Sequence, residues 1–383
     1  MQIRNVPFEA MGGIYEQDDL EAVSQVLGPL VQDNGNLFPL PEETDFQNAL
    51  AQHEGAKSAI AVNSCGTALD CCMMALGIRD GDEVITTPLT FVCTAGTAIA
   101  QGAKVVFADI DPVTMNLDPQ KARGKITDRT KAIIAVHFSG LACDLNAFDA
   151  ITRETGVPVI YDAAHAVGCK QSGEPVGGRG LASCYSFQSN KNMTCLGEGG
   201  AVTSDNEAFA EKVRQLKTFG YVYGGPKLRV ASIGFNYRMT KPQCAVGITQ
   251  LHKIDRVIAA RQERMTRLNE LLSDVPELIL PAGHGMDHAS HLHVLRVATD
   301  KVSFTRDEFT AHLKSKYRVG TSIHYPPLWS WEALAEIGYN EGDCHHAAKA
   351  CSQVFSTPVF PRTSPENIEY VAWAIKQSLH DLG

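Results

Sequence analysis

The sequence predicts an α/β protein with a three-layer α/β/α large domain and a smaller C-terminal α+β domain. Short β-branched runs alternate with helix-like segments from about residue 58 to residue 205, which is the pattern of a sheet crossed by helices. The character of the sequence changes after Met239 and Thr240, and the 383-residue chain is long enough for about two domains at roughly 150 residues each. We expect residues 1–250 to form the large domain, with an N-terminal segment, and residues 251–383 to form the small domain.

Seven strands are predicted in the large domain. Most of them are apolar on both faces, which is typical of strands that helices cover on each side of a sheet. The predicted strands are Ser58–Asn63, Glu83–Thr87, Lys104–Asp109, Lys131–His137, Pro158–Asp162, Cys184–Phe187 and Gly200–Thr203. We therefore expect a central sheet rich in parallel pairs.

The region after residue 240 predicts one long helix and then the small domain. Residues 242–272 carry apolar side chains at helical spacing and show no strand pattern. Beyond this helix, His291–Val297 and Ser322–His324 are predicted strands, and Arg306–Lys316 and Asn367–Leu382 are predicted helices. These elements are enough for a compact α+β unit.

Charge and composition exclude several kinds of partner. The 34 Lys and Arg residues against 43 Asp and Glu give a formal charge of -9, which offers no general attraction to nucleic acid or to anionic lipid. The uncharged stretch Val84–Ala103 contains Pro88 and two glycines and is a poor bilayer span. The N-terminus lacks the apolar core of a signal peptide, so we expect a cytoplasmic protein with small-molecule partners.

Cysteine, histidine and glycine patterns exclude three further kinds of site. Eleven cysteines, an odd number without any C-x-x-C, favour buried free thiols over a disulfide framework or a zinc ribbon. Histidines at 288, 291 and 293 and at 345 and 346 match no familiar zinc spacing, so no metal is expected. No G-x-G-x-x-G and no G-x-x-x-x-G-K-[ST] occurs, which removes the main support for a dehydrogenase or a P-loop NTPase.

Three polar segments follow predicted strands, at the edge where open α/β sheets bind ligands. Asn63–Leu69 runs from a strand into a helix whose free N–H groups suit a phosphate, with an ordinary cap by Ser64 or Thr67 as the alternative. A second strand ends at Asp162, a buried carboxylate that needs a cation or hydrogen-bond donors, unless it only caps the next turn. Lys191 lies in the third segment among small and polar residues, where a desolvated amine becomes a nucleophile, whereas most lysines are simply solvated.

The three segments together resemble the DegT/DnrJ/EryC1/StrS family of sugar aminotransferases, which have the pyridoxal phosphate fold type I of aspartate aminotransferase. Y-D-A-A-H at 161–165 is similar to the family's D-x-A-[HQ], and S-F-Q-S-N-K at 186–191 is similar to S-F-[HQ]-x-x-K. G-E-G-G-A-V at 197–202 matches the usual sequel. Further agreement lies in Asp82–Pro88 with Thr90 and Phe91, in Gly102–Asp111 and in Gly234–Met239.

This resemblance implies catalytic roles for three residues. Lys191 would form the Schiff base with pyridoxal phosphate and, once freed, would carry the proton between substrate and cofactor. Asp162 would face the pyridine nitrogen and keep it protonated, so that the ring acts as an electron sink. His165 would lie near the ring, toward its phenolic oxygen.

The resemblance also implies which residues bind the cofactor. Phe91 would stack on the ring, with a core aromatic as the alternative, and Gln188 stands at a cofactor position where many members have His. The phosphate would be held by Gly66, Thr67 and Ser186, with Asn236 reaching it from the other subunit of a homodimer with shared active sites. One departure bears on this assignment, because S-C-G-T at 64–67 moves the hydroxyl by one position from the usual S-[GC]-T.

The resemblance further implies an activity and a substrate region. His324 and Tyr325 lie in a turn similar to the family's H-Y-x-P and would contact a sugar. The expected reaction transfers an amino group from glutamate or glutamine to a keto or aldehyde carbon of a sugar, nucleotide-linked or free, in amino-sugar biosynthesis. The alternatives are a sugar dehydratase, whose relatives usually have His in place of Lys191, a lyase using Cys195, and a cofactor-binding sensor without turnover.

Overall fold

The computed structural model describes residues 1–33, 37, 41–222, 227–283 and 287–383. The strands in chain order are β1 Ser58–Val62, β2 Glu83–Thr86, β3 Lys104–Phe107, β4 Thr130–Val136, β5 Val159–Asp162, β6 Lys170–Gln171, β7 Glu174–Pro175, β8 Ala182–Ser186, β9 Gly200–Ser204, β10 Tyr221–Val222, β11 Arg229–Val230, β12 Leu278–Ile279, β13 His293–Val297 and β14 Val354–Thr357. The helices are α1 Gln17–Asp33, α2 Glu42–His53, α3 Cys65–Leu76, α4 Val92–Ala100, α5 Pro119–Arg123, α6 Leu145–Thr155, α7 Glu207–Leu216, α8 Lys241–Leu251, α9 Ile254–Leu272, α10 Arg306–Tyr317, α11 Glu332–Glu336, α12 His345–Gln353 and α13 Pro365–Leu382.

A seven-stranded sheet in the order β1-β9-β8-β5-β4-β2-β3 forms the centre of the protein. The pairs from β8 through β5, β4 and β2 to β3 are parallel, and β9 runs antiparallel to both of its neighbours. This confirms the expected α/β class with a parallel-rich sheet. All seven predicted strands are present, and none of their ends moves by more than two residues.

Helices cover both faces of this sheet. Successive residues of a strand point to opposite faces, so Ile134 of β4 packs in one cluster with Leu69 and Met73 of α3. Its neighbour Ile133 packs in the other cluster with Phe148 of α6. Because both faces are buried, polar side chains can leave the sheet only at the strand ends, and this places the site.

The C-terminal region packs around a sheet in the order β12-β13-β14. Helices α9, α10 and α13 bury their apolar faces against it, in a cluster that includes Leu268, Leu295, Phe309 and Ile375. Val6, near the N-terminus, joins the same cluster and pairs with Val319.

Two sequence predictions for this region are wrong. The predicted single helix over 242–272 is two helices, α8 and α9, because the chain turns at His252 and Lys253, where the Lys253 amine is held by Asp18 and Asp19. The predicted strand Ser322–His324 is not a strand: Ser322 makes only an isolated bridge to Ser356, and the chain then runs toward the pocket.

Three further features concern membranes, metals and thiols. Among the residues that the structure describes, no helix is long and apolar enough to cross a membrane. Over the same residues, no group of three or more His, Cys, Asp or Glu side chains is arranged to hold a metal ion. All eleven cysteines are free thiols, and every one except Cys93 is buried.

Candidate active site

A pocket of about 620 Å³ opens at the carboxyl edge of the large sheet. Strands β1, β5 and β8 end at this edge, since β1 and β8 both run antiparallel to β9 and β5 runs parallel to β8. Most residues predicted for the site line this pocket, namely Gly66, Phe91, Asp162, His165, Ser186, Gln188, Lys191, His324 and Tyr325. Thr67 and Asn236, also predicted, are not among its lining residues.

Lys191 lies on the loop that follows β8. Its backbone N–H donates to the carbonyl of Gln188 at 2.9 Å, and the loop is closed further along by a bond from Ser189 N–H to the Gly197 carbonyl at 3.0 Å. Burial lowers the pKa of the Lys191 amine from its usual value, and the charge of Asp162 only partly opposes this. The amine is therefore deprotonated more readily than that of a solvated lysine.

Asp162 ends β5 with its carboxylate buried and surrounded by donors. The Thr94 hydroxyl donates to Oδ2 at 2.7 Å, and the Ala164 N–H donates to Oδ1 at 3.1 Å. The Cys65 thiol lies 3.8 Å from Oδ1. Burial raises the pKa of Asp162, whereas these bonds and the Lys191 charge act in the opposite direction. A carboxylate held in this way is suited to pair with a cationic group brought into the pocket.

His165 is enclosed beside Asp162. Its Nε2 makes a hydrogen bond of 3.1 Å with the Tyr325 hydroxyl, and the two rings are nearly parallel at 17°. Burial holds the pKa of His165 well below its usual value, so the imidazole is neutral. Its Nδ1 is buried without a hydrogen-bond partner among the described residues, which leaves it available to a ligand.

The N-terminus of α3 forms one wall of the pocket. Ser64 caps this helix and exchanges hydrogen bonds with Thr67, whose hydroxyl also donates to Asn63 Oδ1 at 2.7 Å. The Thr67 hydroxyl, which stands one position away from its usual place in the family motif, is thus used by the cap. Ser64, Cys65 and Gly66 line the pocket instead. Free N–H groups at a helix N-terminus suit a phosphate.

A close approach of β9 fixes the position of this wall. A Cβ at Gly200 would lie 2.4 Å from the carbonyl carbon of Ser64, which no side chain can accommodate. This contact gives a physical reason for the last glycine of the G-E-G-G segment.

Aromatic and polar side chains lie around the pocket. Phe91 is 55% exposed although it follows a buried strand, and its ring centroid lies 6.1 Å from that of Tyr325. Glu198 and Gln188 also line the pocket. An exposed aromatic ring beside a lysine and a carboxylate is available to cover a flat ligand.

Asn236 lies at the surface, where its Oδ1 accepts from Arg238 Nε at 2.9 Å. Three large apolar side chains on the same stretch of surface are exposed, namely Phe219 at 40%, Ile233 at 82% and Phe235 at 47%. Asn236 is therefore not part of the pocket of its own chain.

Several residues of the site were not identified from the sequence. Thr94 supports Asp162 from 68 positions away, and Cys93 and Glu198 also line the pocket. No spacing in the sequence links Thr94 to Asp162, because only the fold brings these two residues together. Cys195, the candidate nucleophile of a lyase, is fully buried in the core, outside the pocket, and burial raises its thiol pKa well above the usual value.

The pocket fits pyridoxal phosphate by the chemistry of its donors. A carboxylate among hydrogen-bond donors suits a pyridinium nitrogen, a desolvated amine suits an aldehyde, and a helix N-terminus suits a phosphate. Fold and site thus define a pyridoxal phosphate-dependent aminotransferase of fold type I. The chain belongs to the DegT/DnrJ/EryC1/StrS aminotransferase family, whose sequence model matches residues 16–376.

Known proteins of this kind are similar along nearly the whole chain. The spore coat polysaccharide biosynthesis protein SpsC of Bacillus subtilis is 37% identical over 371 residues, covering 94% of each chain. The solved structure of DesV from S. venezuelae is 28% identical, with a TM-score of 0.86 over 94% of this chain and 93% of that one. NtdA from Bacillus subtilis, solved with bound cofactor PMP, is 26% identical with a TM-score of 0.88 over 99% and 86%. These findings confirm the family, the fold class, the aminotransferase activity and the pyridoxal phosphate cofactor expected from the sequence.

Proposed function

We propose that this aminotransferase moves an amino group from glutamate or glutamine to a keto or aldehyde carbon of a sugar, nucleotide-linked or free, in amino-sugar biosynthesis. The observation that carries this proposal is that Lys191 and Asp162 line one pocket together with the N-terminus of α3. The name of SpsC, which refers to polysaccharide biosynthesis, supports a sugar as the amino acceptor.

Lys191 and Asp162 would share the chemistry. Pyridoxal phosphate, when bound, supplies a ring that withdraws electrons from the reacting carbon. Lys191 Nζ would hold the cofactor covalently at rest and, once released, would carry a proton to and from the substrate carbon. Asp162 would keep the proton on the ring nitrogen, and Thr94 would keep Asp162 in place.

The remaining wall residues would bind and orient. Ser64 and Gly66 at the N-terminus of α3, with Ser186 at the end of β8, would hold the phosphate. Phe91 would cover the ring and exclude water, and Gln188 would contribute a polar contact. His165, neutral and with a free Nδ1, would bond to a polar atom at the ring edge.

His324 and Tyr325 would form the sugar side of the pocket. Both side chains line it, and the His324 ring is anchored by a bond of 2.8 Å between its Nδ1 and Ser356 Oγ. Burial lowers the pKa of His324 to about 4, so it would meet a sugar hydroxyl as a neutral group.

A homodimer with shared sites would bring in Asn236. Its position outside its own pocket, beside the exposed Phe219, Ile233 and Phe235, supports contact with a second copy. The domain boundary near residue 250 and the cytoplasmic location are proposed on the sequence alone.

Transfer of ¹⁵N tests the proposal against its alternatives. The holoenzyme is incubated with ¹⁵N-glutamate or amide-labelled glutamine and a panel of keto-sugars, with Lys191→Ala as the inactive control. Label in a sugar amine is the expected result. Loss of water from the sugar without label would favour a dehydratase, sulfide release from cysteine a lyase, and cofactor binding without any turnover a sensor.

A further inference from the structure

The histidine group at 288, 291 and 293 matches no metal pattern, yet one member reaches the active site. The His291 ring lies against the His165 ring, with centroids 4.6 Å apart and planes at 38°. His291 also lines a small second cavity with Lys191, His324 and Arg261. Lys191 and His324 line the active-site pocket as well, so the two cavities are neighbours. His291 thus contacts His165 and shares a cavity with Lys191, and both of these residues would touch the cofactor.

A fixed amide orients the His291 ring. Asn192, the residue after Lys191, donates from Nδ2 to the Ala289 carbonyl at 2.6 Å. Since a carbonyl oxygen only accepts, the other end of the amide, Oδ1, must be the atom that faces His291 Nδ1 at 3.2 Å. His291 therefore carries its proton on Nδ1, and Nε2 keeps a lone pair.

The charged and titratable groups that act most strongly on the His291 ring are basic side chains. His165, Lys191, Arg261 and His324 surround it, from the segments after β5 and β8, from α9 and from the turn at 324. Burial is the main cause that lowers the pKa of His291, and each of these four groups lowers it further. A charged His291 would place a cation against His165 and close to the Lys191 amine.

We propose that His291 is a positioning residue, which supports the His165 ring as a neutral imidazole and, through Asn192, fixes the loop that carries Lys191. This inference rests on the proposed role of Lys191. The contacts of His291 join the loop that carries Lys191, the end of β5 and α9. The contact with α9 is a hydrogen bond of 3.0 Å from Arg261 Nη1 to the His291 carbonyl.

Two variants separate the ring from the bond to Asn192. Asn192→Asp keeps the ring but replaces the acceptor by a carboxylate, which favours a protonated His291. His291→Asn keeps a donor toward Asn192 but removes the ring from His165. His293→Asn is the matched control, because His293 is also buried, with bonds of 2.7 Å to Thr357 and 2.8 Å to Asn269, and belongs to neither cavity.

The test titrates the visible absorbance of each holoenzyme between about pH 5 and 8, the range in which an ordinary histidine changes charge, and follows kcat in parallel. We expect Asn192→Asp to add one ionisation to both profiles, and Asn192→Asp/His291→Asn to lose it again. His291→Asn alone should lower kcat by about tenfold, whereas His293→Asn should lower the melting temperature and leave the titration unchanged.

Two results would overturn the inference: an Asn192→Asp holoenzyme that titrates like the wild type, or an added ionisation that survives in the double variant. Both leave the proposed function standing, because the wild-type holoenzyme still shows its cofactor absorbance. Absence of that absorbance from the wild type would instead contradict the proposed function itself.

Discussion

The Thr94 hydroxyl donates a hydrogen bond of 2.7 Å to the buried Oδ2 of Asp162, and Thr90 Oγ1 lies 2.8 Å from Thr94 Oγ1 behind it. Thr94→Val removes this donor and keeps the shape of the side chain. A hydrogen bond to a charged group contributes about 1.5–3 kcal/mol, so kcat should fall by about tenfold or more as Asp162 loses support and its pKa rises. Steady-state kinetics of Thr94→Val and Thr94→Ser check this, and equal losses in the two variants would refute a role for the hydroxyl.

A substitution at Gly200 tests whether the N-terminus of α3 contributes to cofactor binding. A Cβ there would lie 2.4 Å from the Ser64 carbonyl carbon, so Gly200→Ala must displace the loop that would hold the phosphate. We expect the Kd for pyridoxal phosphate to rise by about tenfold or more. Gly96→Ala is the control, because nothing lies within 4 Å of its Cβ on α4, and it should leave the Kd unchanged. Fluorescence titration of both variants with the cofactor measures the effect.

Four neutral histidines with lowered pKa values predict acid sensitivity. Burial lowers the pKa of His137 to about 3 and that of His324 to about 4, and holds the pKa values of His165 and His291 well below the usual range. Since these pKa values are lower in the folded state, stability is fully present above about pH 6.5 and is lost as the pH falls toward the folded values. Each histidine contributes up to about 1.4 kcal/mol per pH unit of the unfolding free energy.

Chemical denaturation of the cofactor-free protein at about pH 7 and pH 5.5 measures this loss. His137→Phe, which removes one of the four groups, should flatten the dependence by up to one proton. A pH slope that is the same in wild type and variant would show that His137 does not take up a proton on unfolding.

Asp19 should be a stability determinant of the N-terminal region. Its buried carboxylate pairs with Lys253 and accepts from Thr249 and from Gln250 Nε2, which joins α1 to α8 and the start of α9. Asp19→Ala leaves the Lys253 amine buried with one partner fewer, and we expect a loss of about 3–5 kcal/mol in the free energy of unfolding. Asp18→Ala is the control, since the half-exposed Asp18 also bonds to Lys253, and it should cost less than about 1 kcal/mol.

The parts of this fold that the sequence predicts are those with a local signal. Buried parallel strands are continuous apolar runs, so all seven strands of the large sheet could be recognised. The turn at His252 and Lys253 interrupts no apolar periodicity, and its cause, the pairing of Lys253 with α1, is a tertiary contact. Strand β12 has only two residues and too few positions to show a pattern.

The candidate site likewise has residues that the sequence predicts and residues that only the structure reveals. Asp162, His165 and Lys191 stand in motifs directly after strands, and the structure brings them to one pocket. Thr94 and His291 act on these residues from distant parts of the chain, through contacts that only the folded protein makes. The sequence leaves open an ordinary helix cap by Ser64 or Thr67 at the start of α3, and the structure shows that these two residues form a capping box together.

The covalent bond between the cofactor and Lys191 is the most direct test of the account. Borohydride reduction of the holoenzyme followed by peptide mass spectrometry should place a single cofactor adduct on the Lys191 peptide. Lys191→Ala should carry no adduct and lose amino transfer by about 100-fold or more, while Lys170→Ala, a change at an exposed lysine, should behave as the wild type. An adduct on another lysine, or turnover that persists in Lys191→Ala, would contradict it.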